Sequence, residues 1–366
     1  MKELKKFIDV LVPVDVCNFK CAYCFLRNGC STNKAFDYST KFKYSPEQVK
    51  KALTKERLGG VCHFNICGIG ETLIYPKMFD YVKAILENGH TVMIVTNMSL
   101  TPRIKEFVSL PEEMRKRLGF KCSFHYFQLK EKNLLEIFFN NVKMARDAGC
   151  SISVELTSND EYEPYIEEIK DICMKEVGAY CHVSVPRLGG DNKYPLMSKH
   201  SQQEYYDIWK TMDSKMFEFK METWGQKRKE YCLAGYTSAL LNLGTGEMTA
   251  CYEQKNMKQN IFENPNKPIK WCAVGKCKIA HCYNNHSFLA FGNIPTINSC
   301  NYADIRDKVD KDGNHWLSDE MREQFETRLN EYNPVNKGIK IKFFFDRISI
   351  KTNNFLKRVK RKLKIK

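Results

Sequence analysis

The sequence predicts an α/β fold, a partial (β/α)6 TIM-like barrel followed by a small cysteine-rich C-terminal extension. Two observations carry this prediction. Over roughly the first 190 residues, six short runs rich in β-branched and aromatic residues alternate with helix-like segments, a pattern typical of parallel strands joined by crossover helices. Beyond Tyr231, cysteines recur every few residues with little regular periodicity. Six units are too few for a complete eight-stranded barrel, so we expect an open one.

The strand-like runs are FIDVLVPV, VCHFNIC, TVMIVTN, FKCSFHYF, SISVELTS and AYCHVSVP. Helix start signals and helix end signals fall between them where the pattern requires, at Ser45-Pro46, Thr101-Pro102, Gly59, Gly89, Gly149 and Gly178. Because barrel enzymes carry their active sites at the carboxyl ends of the strands, we expect functional residues in the loops that follow these runs.

These patterns divide the chain into five parts. We predict a barrel core over residues 1–198, a linker helix over 199–230, an auxiliary cysteine-rich domain over 231–300, a C-terminal helical segment over 301–336 and a basic amphipathic tail over 337–366. The cysteine-rich part has few long apolar runs. We therefore expect its fold to depend on bound metal rather than on apolar burial.

The formal net charge of +15 is concentrated at the C-terminus. Residues 337–366 contain twelve Lys or Arg and one acidic residue, Asp346, whereas the rest of the chain is nearly neutral. A neutral body argues against an extended nucleic-acid-binding face. No signal peptide or run of about 18 apolar residues is present, so we expect a cytoplasmic protein.

The tail itself reads as an amphipathic helix. Phe344, Ile348, Phe355, Val359 and Leu363 would form one apolar stripe, with Lys and Arg largely on the other faces. Such a segment is suited to an anionic membrane surface, which would place the protein peripherally at the inner face of the membrane. The alternative is a helix docked on the body and followed by a solvated basic end.

The stretch DVCNFKCAYCF, after the first strand-like run, contains Cys17, Cys21 and Cys24. A structural zinc site usually takes four protein ligands, and the only further cysteine nearby is Cys30. Iron–sulfur clusters are held by thiolates, and a four-iron cluster held by three of them keeps one iron free for a substrate. A chance spacing or a small zinc loop is the alternative.

The segment CNFKCAYC resembles the cluster loop of radical S-adenosylmethionine (SAM) enzymes in both spacing and position. The resemblance implies that Cys17, Cys21 and Cys24 hold a [4Fe-4S] cluster whose open iron binds SAM. It also implies reductive cleavage to a 5′-deoxyadenosyl radical, which abstracts hydrogen from a substrate, and an electron donor such as flavodoxin or ferredoxin. Tyr23 would lie against the adenine.

A second segment, CGIGETLIYP, resembles the glycine-rich motif of the same family. Gly70 and Glu71 match the motif, and Glu71 would pair with the methionine ammonium of SAM; Ile69 and Thr72 depart from it. By the same resemblance, further cofactor contacts are expected at the strand ends, from Thr96, Asn97 and Ser123, with Lys130 or Lys132 as the basic residue after strand four. Each polar residue alone could equally cap a strand end, and the glycines could form an ordinary tight turn.

The C-terminal cysteines resemble the SPASM or twitch auxiliary-cluster extensions of radical SAM enzymes. Cys232, Gly246 and Cys251 match their opening pattern, and Cys272, Cys277, Cys282 and Cys300 follow with divergent spacing. We expect one auxiliary [4Fe-4S] cluster held by Cys232 and Cys251 with two of Cys272, Cys277 and Cys282. A zinc ribbon completed by His281 or His286 is the alternative.

The function expected from these features is a radical SAM oxidoreductase or maturase. It would oxidise or otherwise modify a carbohydrate or glycan precursor, or a peptide, by hydrogen abstraction, and an auxiliary cluster could accept an electron from the substrate. The alternative is a basic cysteine-rich zinc protein that binds nucleic acid without catalysis. Cysteines that occur singly in apolar runs are expected to be inert buried thiols: Cys62, Cys67, Cys122, Cys150, Cys173 and Cys181.

Overall fold

The computed structural model describes residues 3–24, 41–188, 194–252, 258–277, 282 and 285–362. The strands are β1 (Leu4–Val12), β2 (Val61–Gly68), β3 (Thr91–Thr96), β4 (Leu118–Ser123), β5 (Ser151–Thr157), β6 (His182–Ser184), β7 (Tyr231–Cys232), β8 (Ser238–Asn242), β9 (Glu247–Thr249), β10 (Gln259–Asn260) and β11 (Gly275–Lys276).

Helices fill most of the connections. They are α1 (Pro46–Ala52), α2 (Lys55–Leu58), α3 (Met78–Glu87), α4 (Thr101–Val108), α5 (Glu112–Arg115), α6 (Tyr126–Glu131), α7 (Leu135–Asp147), α8 (Ile166–Val177), α9 (Gln202–Trp209), α10 (Lys215–Thr223), α11 (Asn285–Ala290), α12 (Asp319–Glu326) and α13 (Lys337–Lys362). Short 3₁₀ turns occur at Thr72–Ile74, Asp160–Tyr165 and Lys210–Met212. None of the described helices is long and apolar enough to cross a membrane.

The central sheet has nine strands in the order β10-β9-β8-β1-β2-β3-β4-β5-β6. The six strands β1 to β6 are all parallel, as expected for βα units with crossover helices. The sheet does not close, since β6 and β10 stand at its two ends. The α/β class and the partial, open barrel are therefore confirmed.

Most helix signals in the sequence act where they were expected, but Thr101 is the first residue of α4 and does not cap it. Ser45 accepts a hydrogen bond from the amide of Gln48, whose side chain accepts one from the amide of Ser45, so a capping box begins α1. Gly59 and Gly178 end α2 and α8 with left-handed φ values of 87° and 73°, a conformation that glycine adopts without a Cβ penalty.

Successive side chains of β1 contact two different cores, because strand residues alternate between the faces of a sheet. Ile8 and Val10 belong to the large core that also contains apolar residues of the helices between the first six strands. Phe7 instead stacks on Phe291, with ring centroids 4.9 Å apart, in a second core with Phe325. Residues from the C-terminal segment thus fill part of the inner face of the sheet.

Several boundaries differ from the sequence expectation. The run FKCSFHYF leaves the sheet at Ser123, and Tyr126 already begins α6. The region expected to hold a single linker helix contains two, α9 and α10, separated by a short turn. Within 301–336 the described helix is α12, and the rest is turns and extended chain. The domain boundaries themselves remain predictions.

The cysteine-rich part is joined to the barrel sheet. Strand β8 pairs in parallel with β1, from Phe7↔Ser238 to Leu11↔Asn242, and β9 and β10 continue the sheet as antiparallel strands. The sequence did not predict these strands, because they are short, lack a clear alternation of apolar and polar residues, and pair with a strand more than 200 residues away.

Five of the six singly placed cysteines are buried, and Cys67 is partly exposed.

Candidate functional site

The cluster loop follows β1 at the carboxyl edge of the parallel sheet. Its three cysteines, Cys17, Cys21 and Cys24, are each partly exposed. The Sγ of Cys17 accepts the amide of Phe19 at 3.4 Å, and the amide of Cys24 donates to the carbonyl of Cys21 at 3.3 Å. The loop therefore turns back on itself and brings the three side chains to one place.

The donor set of this loop fits an iron–sulfur cluster. Burial raises the pKa of the Cys21 thiol to about 12, and the neighbouring Cys17 and Cys24 thiols also raise it, so a bound cation would favour the thiolate of Cys21. Among the described residues, these three sulfurs do not form a group within 4.8 Å of one another. A single zinc ion with Zn–S bonds of about 2.3 Å would draw them closer.

The glycine-rich loop after β2 runs alongside the chain that leads to Cys17. The amides of Ile69, Gly70 and Glu71 donate to the carbonyls of Val12, Val14 and Val16 at 3.3, 2.6 and 2.9 Å. A Cβ on Gly70 would lie 2.0 Å from the Val16 carbonyl oxygen. Glycine is thus required at position 70 so that the two loops can approach each other. The sequence analysis did not predict this role.

Glu71 is buried and accepts three hydrogen bonds. Its Oε1 accepts from the Thr96 hydroxyl at 2.7 Å and from the amide of Leu73 at 3.0 Å, and its Oε2 accepts from the amide of Asn97 at 2.8 Å. Burial raises the pKa of this carboxyl, against the effect of the three donors. The carboxylate fixes the end of β3 beside the glycine-rich loop, and its contact with a methionine ammonium stays a prediction.

Asn97 links the end of β3 to the cluster loop. Its Nδ2 donates to the Oδ1 of Asn18 at 2.8 Å, and its Oδ1 accepts from the Ser99 hydroxyl at 2.6 Å. Ser99 Oγ in turn accepts from the Nδ2 of Asn18 at 2.8 Å. Asn18 and Ser99 were not predicted as site residues from the sequence. The one available signal was the position of Asn18, a polar residue directly after Cys17.

Tyr23 is held by residues of the following βα units. Its hydroxyl is hydrogen-bonded to the Nδ1 of His125 at 2.6 Å, and burial lowers the pKa of His125 to about 4, so this imidazole is neutral. Tyr162 packs edge-on against the Tyr23 ring at 5.8 Å, and Gln128 Oε1 accepts the amide of Lys20 at 2.7 Å. No sequence signal pointed to His125, Gln128 or Tyr162.

The other predicted contacts on β4 and α6 lie as follows. Ser123 is the last residue of β4, partly exposed and paired in register with Glu155. Lys130 donates to Glu168 at 2.8 Å and to the Tyr126 hydroxyl at 3.0 Å. Lys132 is exposed at the end of α6. A role for these residues in binding SAM stays a prediction.

Four of the C-terminal cysteines lie together. Burial raises the pKa of the Cys232 thiol above its ordinary value, and the adjacent thiols of Cys282, Cys251 and Cys277 raise it further. Strand β7, which contains Cys232, pairs with β11 just before Cys277. The turn between β8 and β9 carries Gly246 with φ 70°, where a Cβ would lie 2.6 Å from Asn260 Oδ1, and this turn returns the chain toward Cys251.

Cys272 and Cys300 lie in or beside apolar clusters that Cys232 and Cys251 also border, but the thiols that raise the pKa of Cys232 are those of Cys282, Cys251 and Cys277. Cys272 is buried among apolar residues that include Phe343 and Ile350 of α13. Burial raises the pKa of the Cys300 thiol to about 12, and its charged neighbours are Asp304, Glu222 and Lys215. His286 has buried cations beside it, and His281 and Cys30 lie outside the described residues.

The comparisons with known proteins agree with this geometry at the level of the fold and the domain. Residues 11–159 match the family model described as Radical SAM superfamily. Streptococcus suis SuiB bound to S-adenosylmethionine is similar in structure, with a TM-score of 0.50 and 16% identity, over 72% of this chain and 65% of that chain. The chain thus spans less than two thirds of the length of the SuiB chain. At this level of identity the similarity concerns the fold.

Two further structures are more distant. Native anSMEcpe with bound AdoMet and Cp18Cys peptide has a TM-score of 0.45 and 13% identity, over 95% of this chain and 99% of that one. BtrN in complex with AdoMet and 2-DOIA has a TM-score of 0.37 and 14% identity, over 72% and 81%. Among curated proteins, none matches the sequence closely enough to indicate a relative. The cluster loop, the glycine-rich loop and strands β2 to β5 all fall within residues 11–159, the segment that matches the radical SAM superfamily model.

Proposed function

We propose that this protein is a radical SAM enzyme. The observation that carries the proposal is the arrangement of Cys17, Cys21 and Cys24 at the end of β1, with the glycine-rich loop hydrogen-bonded alongside, inside a radical SAM domain. Cys17, Cys21 and Cys24 would hold a [4Fe-4S] cluster, which would supply the one electron needed to cleave SAM to methionine and a 5′-deoxyadenosyl radical that takes a hydrogen atom from the substrate.

The residues around the loop position it for this chemistry. Gly70 and Glu71 fix the backbone before Cys17 through Val14 and Val16. The Asn97–Asn18 hydrogen bond fixes the residue after Cys17. Tyr23, only 7% exposed, forms one wall of the loop with His125. Because each of these contacts joins two different βα units, the loop geometry depends on the whole sheet edge rather than on the loop sequence alone.

We propose further that Cys232, Cys251, Cys277 and Cys282 hold an auxiliary [4Fe-4S] cluster. The thiols of Cys251, Cys277 and Cys282 all lie near that of Cys232, and four thiolates are the ligand set such clusters use. Within the described residues, no three of these sulfurs lie within 4.8 Å of one another, a wider arrangement than a zinc ribbon takes. A cluster at these residues would supply an acceptor for a substrate electron.

The reaction class that follows is oxidation or related modification by hydrogen abstraction, on a carbohydrate or glycan precursor or on a peptide. An alcohol that loses one hydrogen atom, then one electron and one proton, becomes a carbonyl. One electron reaches the SAM-binding site from a donor such as flavodoxin or ferredoxin. We place the enzyme in the cytoplasm.

We also propose that α13 binds an anionic membrane surface. One side of the helix is docked on the body, where Phe343 and Ile350 are buried and Arg347 donates to the Ala273 carbonyl at 2.7 Å. With 3.6 residues per turn, the opposite side presents large apolar residues that are 47–65% exposed: Ile341, Phe344, Phe345, Ile348, Phe355 and Leu356.

The charges beside this exposed side favour a membrane over a protein partner. Lys342 lies at one edge of the apolar strip, and Lys340 and Lys351 lie at the other, all exposed. Lysine side chains beside an interfacial helix reach up to the headgroups while the apolar residues enter the acyl boundary. Of the predicted stripe, Phe344, Ile348 and Phe355 are on this side; Val359 is half-buried, and Leu363 lies outside the described residues.

The experiment that tests the proposed function is an assay of anaerobically purified protein for iron, sulfide and 5′-deoxyadenosine after chemical reduction in the presence of SAM. We expect seven or eight irons per chain and 5′-deoxyadenosine formation. If the first site holds zinc in place of iron and no 5′-deoxyadenosine forms, the proposal is wrong and the zinc-protein alternative is favoured.

A further inference from the structure

A layer of charged side chains is buried on the inner face of the barrel sheet. It consists of Asp9 on β1, Lys121 on β4, Glu155 on β5, Lys220 on α10 and Arg306 after α11, and we refer to these five residues as the buried charge layer. The cations are almost inaccessible: Lys121 is 4%, Lys220 8% and Arg306 0% exposed. Within the described residues, no side chain of the cluster loop or the glycine-rich loop is hydrogen-bonded to these three cations.

The carboxylates of the layer offset only part of its positive charge. Arg306 pairs with Glu155. Asp9 accepts from Asn65 Nδ2 at 2.7 Å and from the Tyr252 hydroxyl at 2.8 Å. In the part of the chain that the structure describes, neither Lys121 nor Lys220 has a carboxylate within 4.0 Å. Two lysines and one arginine thus face two carboxylates, one of which is engaged by neutral donors.

The geometry concentrates positive charge at one point. The Lys121 Nζ and the Arg306 Cζ lie 5.7 and 5.2 Å from the centroid of the same Tyr302 ring. Although burial alone would raise the pKa of Tyr302, these two cations bring it below its ordinary value. Lys220 donates to Ser184 Oγ at 2.8 Å, and burial, with Arg187 nearby, lowers the pKa of Lys220 to about 7.

Donors in this layer are left without acceptors. Arg306 Nε and Nη2 are buried and meet no hydrogen-bond acceptor among the residues that the structure describes. An unpaired buried donor is destabilising, and more so when it is charged. Native proteins rarely accept such a cost without a ligand that offsets it.

The layer lies close to the proposed reaction site. Lys121 precedes Ser123 by two residues on the same face of β4, one step below the strand end. The Cys67 thiol, at the end of β2, has Asp9, Lys121, Glu71 and Glu155 as its charged neighbours. The buried charge layer and the glycine-rich loop with Glu71 therefore surround one region at the carboxyl end of the sheet.

We propose that the buried charge layer binds an anionic group of the substrate, a phosphate or a carboxylate, through Lys121, Lys220 and the free guanidinium edge of Arg306. This inference rests on the proposed function, since it places the anion beside the SAM-binding loops. Arginine offers two parallel donors to either anion, and lysine adds a point charge. A neutral sugar or an uncharged peptide segment would leave these donors unpaired.

The test measures binding of inorganic phosphate, and separately of malonate, to the holoprotein by calorimetry at constant ionic strength. We expect saturable binding of at least one of these anions that is unchanged by saturating SAM. Lys121→Met and Lys220→Met should each weaken it about tenfold or more. The matched control is Lys6→Met, because Lys6 is also buried but donates to the Tyr236 carbonyl at 2.7 Å outside the layer.

The outcomes separate the possibilities. Phosphate binding without malonate binding assigns a phosphorylated substrate, and the reverse assigns a carboxylate. Absence of saturable binding of both anions to the wild-type protein overturns the proposal even if the variants fail to fold. Equal weakening by Lys6→Met, or displacement by SAM, also overturns it. Formation of 5′-deoxyadenosine without substrate does not require this layer, so failure of the anion test leaves the proposed function standing.

Discussion

A Cβ atom on Gly70 would lie 2.0 Å from the carbonyl oxygen of Val16. That oxygen accepts the amide of Glu71 at 2.9 Å, directly before Cys17. The glycine-rich loop and the cluster loop are therefore built against each other, and the conformation of Cys17 depends on a residue more than fifty positions away. This contact explains why a small residue is needed at position 70 without reference to any ligand.

Gly70→Ala should displace the cluster loop, because the obstruction is backbone and cannot rotate away. We expect a loss of about 1–3 kcal/mol in stability, together with loss of iron from the first site. Iron content and the visible absorbance of anaerobically purified protein measure this. Gly149→Ala is the control: Gly149 has φ 85° with nothing within 4 Å of its Cβ position, so it should cost about 1–2 kcal/mol and keep its iron.

The C-terminal cysteines give a prediction about which thiols hold metal. Cys277→Ala or Cys282→Ala should remove about four irons per chain, because each belongs to the group around Cys232. Cys272→Ala should retain all iron, since that thiol is buried against α13. Iron loss from Cys272→Ala equal to that from Cys277→Ala would show that the ligand set is wrong, and zinc at the site would refute the redox role.

Lys220 predicts a dependence of stability on pH. Burial, with Arg187 nearby, lowers its pKa from 10.5 to about 7, so between these values the unfolded chain binds more protons at this site than the folded chain. The free energy of unfolding should therefore rise with pH in this window, by about 1 kcal/mol between pH 7.5 and 8.5. Denaturant unfolding of wild type and Lys220→Met at both pH values measures it.

In Lys220→Met this rise in the free energy of unfolding should be absent. The difference between the two proteins therefore isolates the contribution of Lys220, because the other titrating groups contribute equally to both. The exposed Lys105 provides a control, since Lys105→Met should follow the wild type. Parallel profiles for wild type and Lys220→Met would show that the ammonium is not buried as the structure has it.

The exposed side of α13 predicts binding to anionic vesicles. Wild-type protein should co-sediment with phosphatidylglycerol-containing vesicles at low salt and less at high salt, because each basic residue near the surface contributes about 1 kcal/mol and salt screens it. Truncation after Asn336 should abolish binding. A Phe344→Glu/Phe355→Glu pair should weaken it without lowering the unfolding temperature, since both residues are exposed. Equal sedimentation of all forms would reject the membrane assignment.

The sequence predicted the parts of the fold whose signals are local. Strands β1 to β6 follow from apolar runs bounded by helix caps, and the spacing of Cys17, Cys21 and Cys24 is visible in eleven residues. The addition of β8 to the edge of the sheet could not be predicted, because a five-residue strand pairs with residues more than 200 positions away. The start of α6 was not predicted, because the aromatic residues of the run FKCSFHYF are compatible with both a strand and a helix.

The site shows the same division. Glu71 could be selected from its motif, but its three donors at Thr96, Asn97 and Leu73 depend on the packing of β2 against β3. The buried charge layer left no mark in the sequence, because Lys121 and Arg306 look like ordinary solvated cations until the sheet and the C-terminal segment place them together.

The most direct test of the central claim is the formation of 5′-deoxyadenosine from SAM by the reduced, iron-loaded protein, compared with a Cys17→Ala/Cys21→Ala/Cys24→Ala variant. The three cysteines lie in a partly exposed loop, so the variant should keep most of its fold, as circular dichroism would show. We predict that the wild type forms 5′-deoxyadenosine and the variant forms none. Equal formation by the variant, or none by iron-loaded wild type, would contradict the assignment of this loop as a radical SAM cluster site.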